Sequence, residues 1–366
     1  MVTTLTTFVS VGTAMSSKLR ASAPALASVE PYDPKSLPAD VFISANESPY
    51  NMPEVVRERI AQRVAAMSFN RYPDPLANAL RDLIAERYGV KRGNVLCGNG
   101  GDELLFDLML SWGGPGRTLL NFPPTFGIYE LNAQLTNTAV VNIPREGDDF
   151  HINIDAACQR LSCGDIDICI LTSPNNPTGC CTTLADIERI LDASDALVLV
   201  DEAYIEFAPE KSAHCLLAEH ENLLILHTFS KAFSGAGVRL GYVVGSESII
   251  TEFLKVRQAY SVDSLSQIVG EEVLRGADAF EPQIAAIRDA RGPLMEALAQ
   301  LPGVTVHPSD ANFILISLNG AQQVWERLFE EHSVLVRNVG SGRLRITVGS
   351  SEENEKLLAA LSAILN

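Results

Sequence analysis

From residue 95 to residue 245 the chain repeats one pattern, a short and nearly unbroken apolar run that stops at a turn residue. The runs are Val95–Cys97, Thr118–Phe122, Thr138–Ile143, Ile166–Leu171, Ala196–Val200, Leu223–His227 and Tyr242–Val244. A strand wetted on one face alternates apolar and polar residues, whereas a strand covered on both faces reads as continuous. Segments of helical periodicity, among them Asp102–Trp112 and Leu184–Ala193, separate many of the runs. Strand and helix in this alternation predict a layered α/β domain built on a mainly parallel sheet.

After residue 246 the pattern changes. Two helical stretches, 246–275 and 278–300, precede four strand-like pieces, Val304–His307, Phe313–Ser317, Val334–Arg337 and Leu344–Val348, and a closing helix over 351–365. Helices followed by strands predict a smaller α+β domain. The expected division is an N-terminal extension and arm over 1–45, a large domain over 46–260 and a small C-terminal domain over 261–366. Residues 1–29 hold no acid, but no basic segment precedes their apolar positions, so they read as a frayed extension with a short arm helix over 16–28. A Pro-rich connector at 31–38 joins this arm to the body.

Of the 366 residues, 46% are hydrophobic and 20% charged, enough for a sizeable core. The balance of 28 basic against 45 acidic residues, a net −17, repels phosphates on average and disfavours nucleic acid or an anionic membrane as partner. No apolar stretch approaches the length of a membrane span. The seven cysteines are odd in number and form no Cys-x-x-Cys pair, which fits neither a disulfide framework nor a structural zinc site. A reduced, cytoplasmic compartment and no metal are the expectation.

Four motifs arrive in order at the ends of successive strands. Gly98-Asn99-Gly100-Gly101-Asp102-Glu103 follows a strand and opens a helix, where backbone N–H groups and the helix dipole favour an anion. A dinucleotide fingerprint needs glycine at 103 and a P-loop needs Gly-Lys-Ser/Thr, so a single-phosphate cradle and a plain tight turn both remain open. Ser173 to Gly179 holds asparagines between prolines, which stiffen the loop and fix an amide. Asp201-Glu202-Ala203-Tyr204 sets a carboxylate at the end of a buried strand, costly unless a cation or donors meet it; Asp201 reads either as a turn cap or as the partner of a cationic ring nitrogen. Thr228-Phe229-Ser230-Lys231 and then Arg239 offer hydroxyls and a guanidinium for a phosphate, and a lysine suited to act as amine nucleophile and base.

Together these motifs resemble the fold-type-I pyridoxal-phosphate aminotransferases, and more closely the histidinol-phosphate aminotransferase family. The likeness runs from about Pro31 to the C-terminus. It includes Ala45-Asn46-Glu47-Ser48-Pro49-Tyr50, Arg71-Tyr72-Pro73-Asp74, Pro124-Thr125-Phe126-Gly127 and Leu344-Arg345-Ile346-Thr347-Val348-Gly349 besides the four motifs above. The resemblance implies that pyridoxal 5'-phosphate is held by Lys231 as a Schiff base, and that Lys231 then carries the proton of the substrate α-carbon. It implies that Asp201 pairs with the pyridinium nitrogen, Asn176 and Tyr204 with the ring oxygen, and that Phe126 stacks on the ring. The phosphate falls to the N–H groups of Gly101 and Asp102, to Thr228, Ser230 and Arg239, and to Tyr72 of a neighbouring subunit, so a homodimer with shared sites is expected. Asn46, Arg337, Arg345 and the arm tyrosine Tyr32 fall on the substrate side; taken alone, each arginine reads equally well as an edge-strand surface charge.

The sequence departs from the family pattern in three places. The usual Asn-Glu-Asn-Pro is Asn-Glu-Ser-Pro, a glycine after the tyrosine is Asn51, and a common tyrosine is Phe126. The activity implied is transamination of L-histidinol phosphate with 2-oxoglutarate, giving imidazole-acetol phosphate and glutamate. The alternatives on the same scaffold are aromatic-amino-acid transamination and threonine-phosphate decarboxylation. A catalytically silent binding protein ranks last, because Lys231, Asp201, Asn176, Tyr204 and Arg239 are all present.

Overall fold

The computed structural model describes residues 37–366 without interruption, and residues 20, 22, 26, 29 and 31 before them. Tyr32, the arm helix expected over 16–28 and most of the connector at 31–38 lie outside the described residues.

The strands are β1 (Val41–Phe42), β2 (Val95–Gly98), β3 (Thr118–Asn121), β4 (Ala139–Asn142), β5 (Ile168–Thr172), β6 (Leu197–Asp201), β7 (Leu223–Thr228), β8 (Gly241–Gly245), β9 (Val304–Val306), β10 (Phe313–Leu318), β11 (Val334–Leu335), β12 (Arg337–Gly340) and β13 (Arg343–Thr347). The helices are α1 (Glu54–Ala65), α2 (Asn78–Tyr88), α3 (Gly100–Trp112), α4 (Ile128–Leu135), α5 (Ile154–Leu161), α6 (Leu184–Asp192), α7 (Glu247–Val256), α8 (Ser264–Arg275), α9 (Glu281–Ala299), α10 (Ala321–His332) and α11 (Ser351–Leu365).

All seven runs between 95 and 245 form one sheet, in the order β2-β8-β7-β6-β5-β3-β4. Its pairs are parallel except those of β8, which runs antiparallel to both β2 and β7. The pleat divides each strand between two apolar layers. Leu197 and Leu199 of β6 and Leu224 and Leu226 of β7 pack with α3, α4 and α7. Val198, Val200, Leu223 and Ile225 pack on the other face with α5 and α6. Coverage on both faces explains why the runs read as continuous. The same alternation turns Asp201 and Thr228, at the C-terminal ends of β6 and β7, toward the α3–α4 side.

A second, antiparallel sheet has the order β12-β13-β10-β9, and β1 pairs in parallel with β11. A third apolar cluster joins residues of this sheet, such as Phe313 and Ile346, to Tyr204 and Phe229 beside the first sheet. Two sequence expectations need correction. The stretch 246–275 is two helices, because Arg257 turns extended and Asp263 starts α8 by accepting the Leu265 and Ser266 amides. The piece Val334–Arg337 is divided: β11 pairs with β1, whereas Arg337 begins β12 beside β13.

Leu199 is buried in the middle of β6. Leu199→Ala is expected to destabilise the fold by about 2–5 kcal/mol, through lost transfer energy and the cavity left behind. A lowered denaturation midpoint with unchanged far-UV circular dichroism checks this.

Candidate active site

One cavity of about 640 Å³ lies at the C-terminal ends of β5, β6 and β7 and reaches Arg337 and Arg345 of the second sheet. Ligands bind at this end of parallel sheets because strand ends and helix N-termini meet there. Gly101, Asp102, Phe126, Asn176, Asp201, Tyr204, Thr228, Ser230, Lys231 and Arg239 all line it, as do Asn46, Arg337 and Arg345. Tyr72 does not line it: it is 79% exposed and stacks on Tyr260, ring centroids 4.4 Å apart.

At one end the start of α3 meets the loop after β7. Gly100 has φ +78°, and a Cβ there would lie 2.8 Å from Arg239 Nη2. A Cβ on Gly241 would lie 2.9 Å from the Gly101 nitrogen, so the helix start rests directly on β8. Both positions therefore need glycine. Arg239 Nη2 is 2.9 Å from Asp102 Oδ2, Thr228 Oγ1 donates to Ser230 Oγ at 2.9 Å, and the Ser230 amide donates back to Thr228 Oγ1 at 3.1 Å. Helix N-terminus, two hydroxyls and a guanidinium make a cradle for a dianion.

In the middle stands Asp201. Its Oδ2 accepts from Tyr129 Oη at 2.7 Å, and its Oδ1 accepts from the Ala203 amide at 3.0 Å. The turn cap and the site carboxylate are thus one residue. Burial pushes the carboxyl up to about 6, while Tyr129, Ala203 and the charge of His227 pull the other way. Burial and the neighbouring Asp201 in turn hold the Tyr129 phenol well above its ordinary range. Phe126 meets Tyr129 edge to face at 5.6 Å. Tyr129, which the sequence motifs do not include, lies three residues after Phe126 in the first turn of α4.

Lys231 is half-buried, and its Nζ donates to the Ala45 carbonyl at 2.9 Å. Burial, then the Arg345 charge, lowers the amine to about 8, against the pull of Glu47 and Asp102. At pH 7 roughly a tenth of such an amine is neutral, against less than about a thousandth of an ordinary lysine.

Toward the second sheet, Arg345 Nη1 donates to Asn176 Oδ1 and Nη2 to the Ser44 carbonyl, both at 2.6 Å. Arg345 is buried and β13 is interior, with β12 and β10 on either side, so it is not an edge-strand surface charge. Arg337 is its direct partner across the β12–β13 ladder. Like charges opposed in this way are unfavourable unless an anion lies near them. Asn46 Nδ2 donates to Tyr204 Oη at 3.0 Å, and Tyr204 packs edge to face on Phe313 at 5.0 Å.

The donor set fits pyridoxal phosphate. It combines a dianion cradle at a helix start, a buried carboxylate able to meet a ring cation, an aromatic face at Phe126 and an amine of lowered pKa, all on one cavity.

The family described as Aminotransferase class I and II matches residues 41–361. A histidinol-phosphate aminotransferase of Carboxydothermus hydrogenoformans is 41% identical over 347 residues, covering 93% of this chain and 97% of that protein. One from Corynebacterium efficiens is 38% identical, covering 91% and 92%. The crystal structure of histidinol-phosphate aminotransferase from Sinorhizobium meliloti in complex with pyridoxal-5'-phosphate shares the fold, with TM-score 0.87, 22% identity and coverage of 95% and 98%. The chain therefore belongs to the class I and II aminotransferases and, within them, to the histidinol-phosphate aminotransferase family.

Proposed function

We propose that this protein transfers the amino group of L-histidinol phosphate to 2-oxoglutarate, yielding imidazole-acetol phosphate and L-glutamate, in histidine biosynthesis. The observation that carries this reading is the meeting of Lys231, Asp201 and the opposed guanidiniums of Arg337 and Arg345 on one cavity. When bound, pyridoxal phosphate supplies an aldehyde carbon for amines and a cationic ring that accepts the electron pair released at the substrate α-carbon.

The chain's own residues do the rest. Gly101, Asp102, Thr228, Ser230 and Arg239 would hold the phosphate of the cofactor. Asp201, whose carboxylate accepts from the Tyr129 hydroxyl, would pair as an anion with the ring nitrogen and keep it protonated. Asn176 and Tyr204 would orient the ring oxygen, and Phe126 would stack on the ring. Lys231 would supply the amine that links the aldehyde carbon and, when that amine is free, would take the substrate α-proton and return it. Arg337 and Arg345 bind the phosphate of one substrate and the distal carboxylate of the other, because a paired guanidinium surface accepts either oxyanion. Asn46, also on the cavity wall, donates to the Tyr204 hydroxyl.

The second subunit enters through Tyr72. Tyr72 is strongly exposed and stacks on the exposed Tyr260, forming a small aromatic patch. In a homodimer this patch would be covered and Tyr72 would reach the phosphate end of the partner's cavity.

Purified protein loaded with pyridoxal phosphate is expected to show a visible band that shifts on adding histidinol phosphate. An intact band that does not shift excludes this substrate, and carbon dioxide release from threonine phosphate without a keto acid selects the decarboxylase reading. Lys231→Ala should lose borohydride-fixable cofactor and lower kcat by at least about a thousandfold, as nucleophile and proton carrier go together. Cofactor uptake by the stripped protein should speed up as pH rises and level off above about 8, since only the neutral Lys231 amine attacks an aldehyde; stopped-flow absorbance reads this rate. Tyr129→Phe should weaken pyridoxal phosphate binding by roughly 10- to 100-fold, the worth of one hydrogen bond to a buried anion.

A further inference from the structure

The pleat that turns Asp201 and Thr228 into the cavity turns their neighbours Glu202 and His227 away from it. Behind the sheet, Glu202 Oε2 lies 3.1 Å from His227 Nε2, with the two side chains only 1% and 4% exposed. Glu202 is anchored further by the Ala213 amide at 2.6 Å and the Ser212 hydroxyl at 2.5 Å. The imidazole lies nearly flat on Tyr242, centroids 5.2 Å apart and planes inclined by 20°, with Tyr88 tilted at 5.5 Å. The Tyr88 and Tyr242 hydroxyls share a hydrogen bond of 2.9 Å. The two tyrosine rings, themselves 6.1 Å apart, pack against the imidazole from neighbouring directions, and Glu202 holds its Nε2 edge.

The groups that face His227 come from several elements. They are Glu202 after β6, Glu206 in the next turn, Arg87 and Tyr88 of α2, Tyr242 of β8, and His214 beyond Tyr88. Burial opposes a charge on the imidazole, but Glu202 and Glu206 outweigh burial and Arg87 together, and the imidazole is held above its ordinary value. Its charge acts through the strand on Asp201 and favours the ionised carboxylate there.

We propose that His227 and Glu202 are positioning residues of the reaction, an imidazolium–carboxylate pair that ties the ends of β6 and β7 from behind and keeps Asp201 anionic toward a cationic ring nitrogen. Neither residue touches the cavity, so their effect passes through Asp201 and Thr228. The inference rests on the pyridoxal phosphate reading of the cavity.

The test uses the full chain as wild type, His227→Gln, His227→Arg and Glu202→Gln, each stripped of cofactor and titrated with pyridoxal phosphate. Three quantities are read: the Kd, the pH midpoint of the bound cofactor's absorption band, and the melting temperature of the stripped protein. His227→Gln is expected to raise Kd about tenfold and to move the midpoint by at least about half a unit, as loss of one nearby charge requires. His227→Arg, which keeps a permanent cation, should restore both. A wild-type Kd and midpoint in His227→Gln, with only the melting temperature lowered, would overturn the proposal, as would an arginine variant that folds but is as impaired as the glutamine one. Should arginine not fold, Glu202→Gln decides, since it keeps the imidazole and removes the acid that holds it charged. That variant should shift Kd and midpoint in the same direction as His227→Gln, and wild-type values in it count against the pair. Wild-type protein that takes up no pyridoxal phosphate would overturn the cofactor reading and this one together, whereas unchanged variants of a protein that does take it up overturn this one alone.

Discussion

A carboxylate almost without solvent is the constraint around which this site is arranged. Asp201 ends a strand whose other residues are aliphatic, and removing an anion from water costs several kcal/mol unless donors replace the water. The Tyr129 hydroxyl and the Ala203 amide replace part of it. The rest of the demand is for a cation inside the cavity. Lys231 has the converse difficulty, an ammonium moved out of water beside a guanidinium. The two groups are therefore drawn toward neutrality from opposite sides, to about 6 and about 8. An acid and an amine brought close to neutral pH in one cleft are a signature of acid–base chemistry.

Both ends of the cavity favour anions in a chain whose net charge is −17. The two facts are compatible because charges more than about 8 Å apart are largely screened at physiological salt. The start of α3 and Arg239 line one end of the cleft and Arg337 and Arg345 the other, so a small anion at either end would meet these groups before the distant surface acids. The acidic exterior discourages polyanions, while the cleft accepts small ones. Arg345 also has a mechanical part, since its bonds to Asn176 and Ser44 tie the second sheet to the loop after β5 and to the segment after β1.

Much of the architecture was legible because burial on both faces leaves an unmistakable trace. Every run from Val95 to Val244 became a strand of one sheet, and the strand ends marked the motifs. The errors lay where periodicity is a poor guide. Helical spacing continues from 246 to 275, so the break at Arg257–Asp263 was invisible, although Asp263 is a typical cap. The division of 334–337 depends on which neighbours the two halves meet, and β1 is more than 290 residues away along the chain. Tyr129 follows Phe126 by three residues, but only the folded chain shows that its hydroxyl meets a buried acid. His227 read as the last residue of a strand, and only the pleat reveals that it faces a glutamate.

The amino-acid order by itself determined the secondary structure of the central sheet, the places where its strands stop, and the kinds of side chain delivered there, because these follow from local periodicity and turn chemistry. Tertiary structure decided which of those side chains share one cavity, that Arg337 stands opposite Arg345, and how far Asp201 and Lys231 are drawn from their ordinary protonation. Those properties depend on distance and water exclusion, and residues hundreds of positions apart acquire them only when two sheets close on a common cleft.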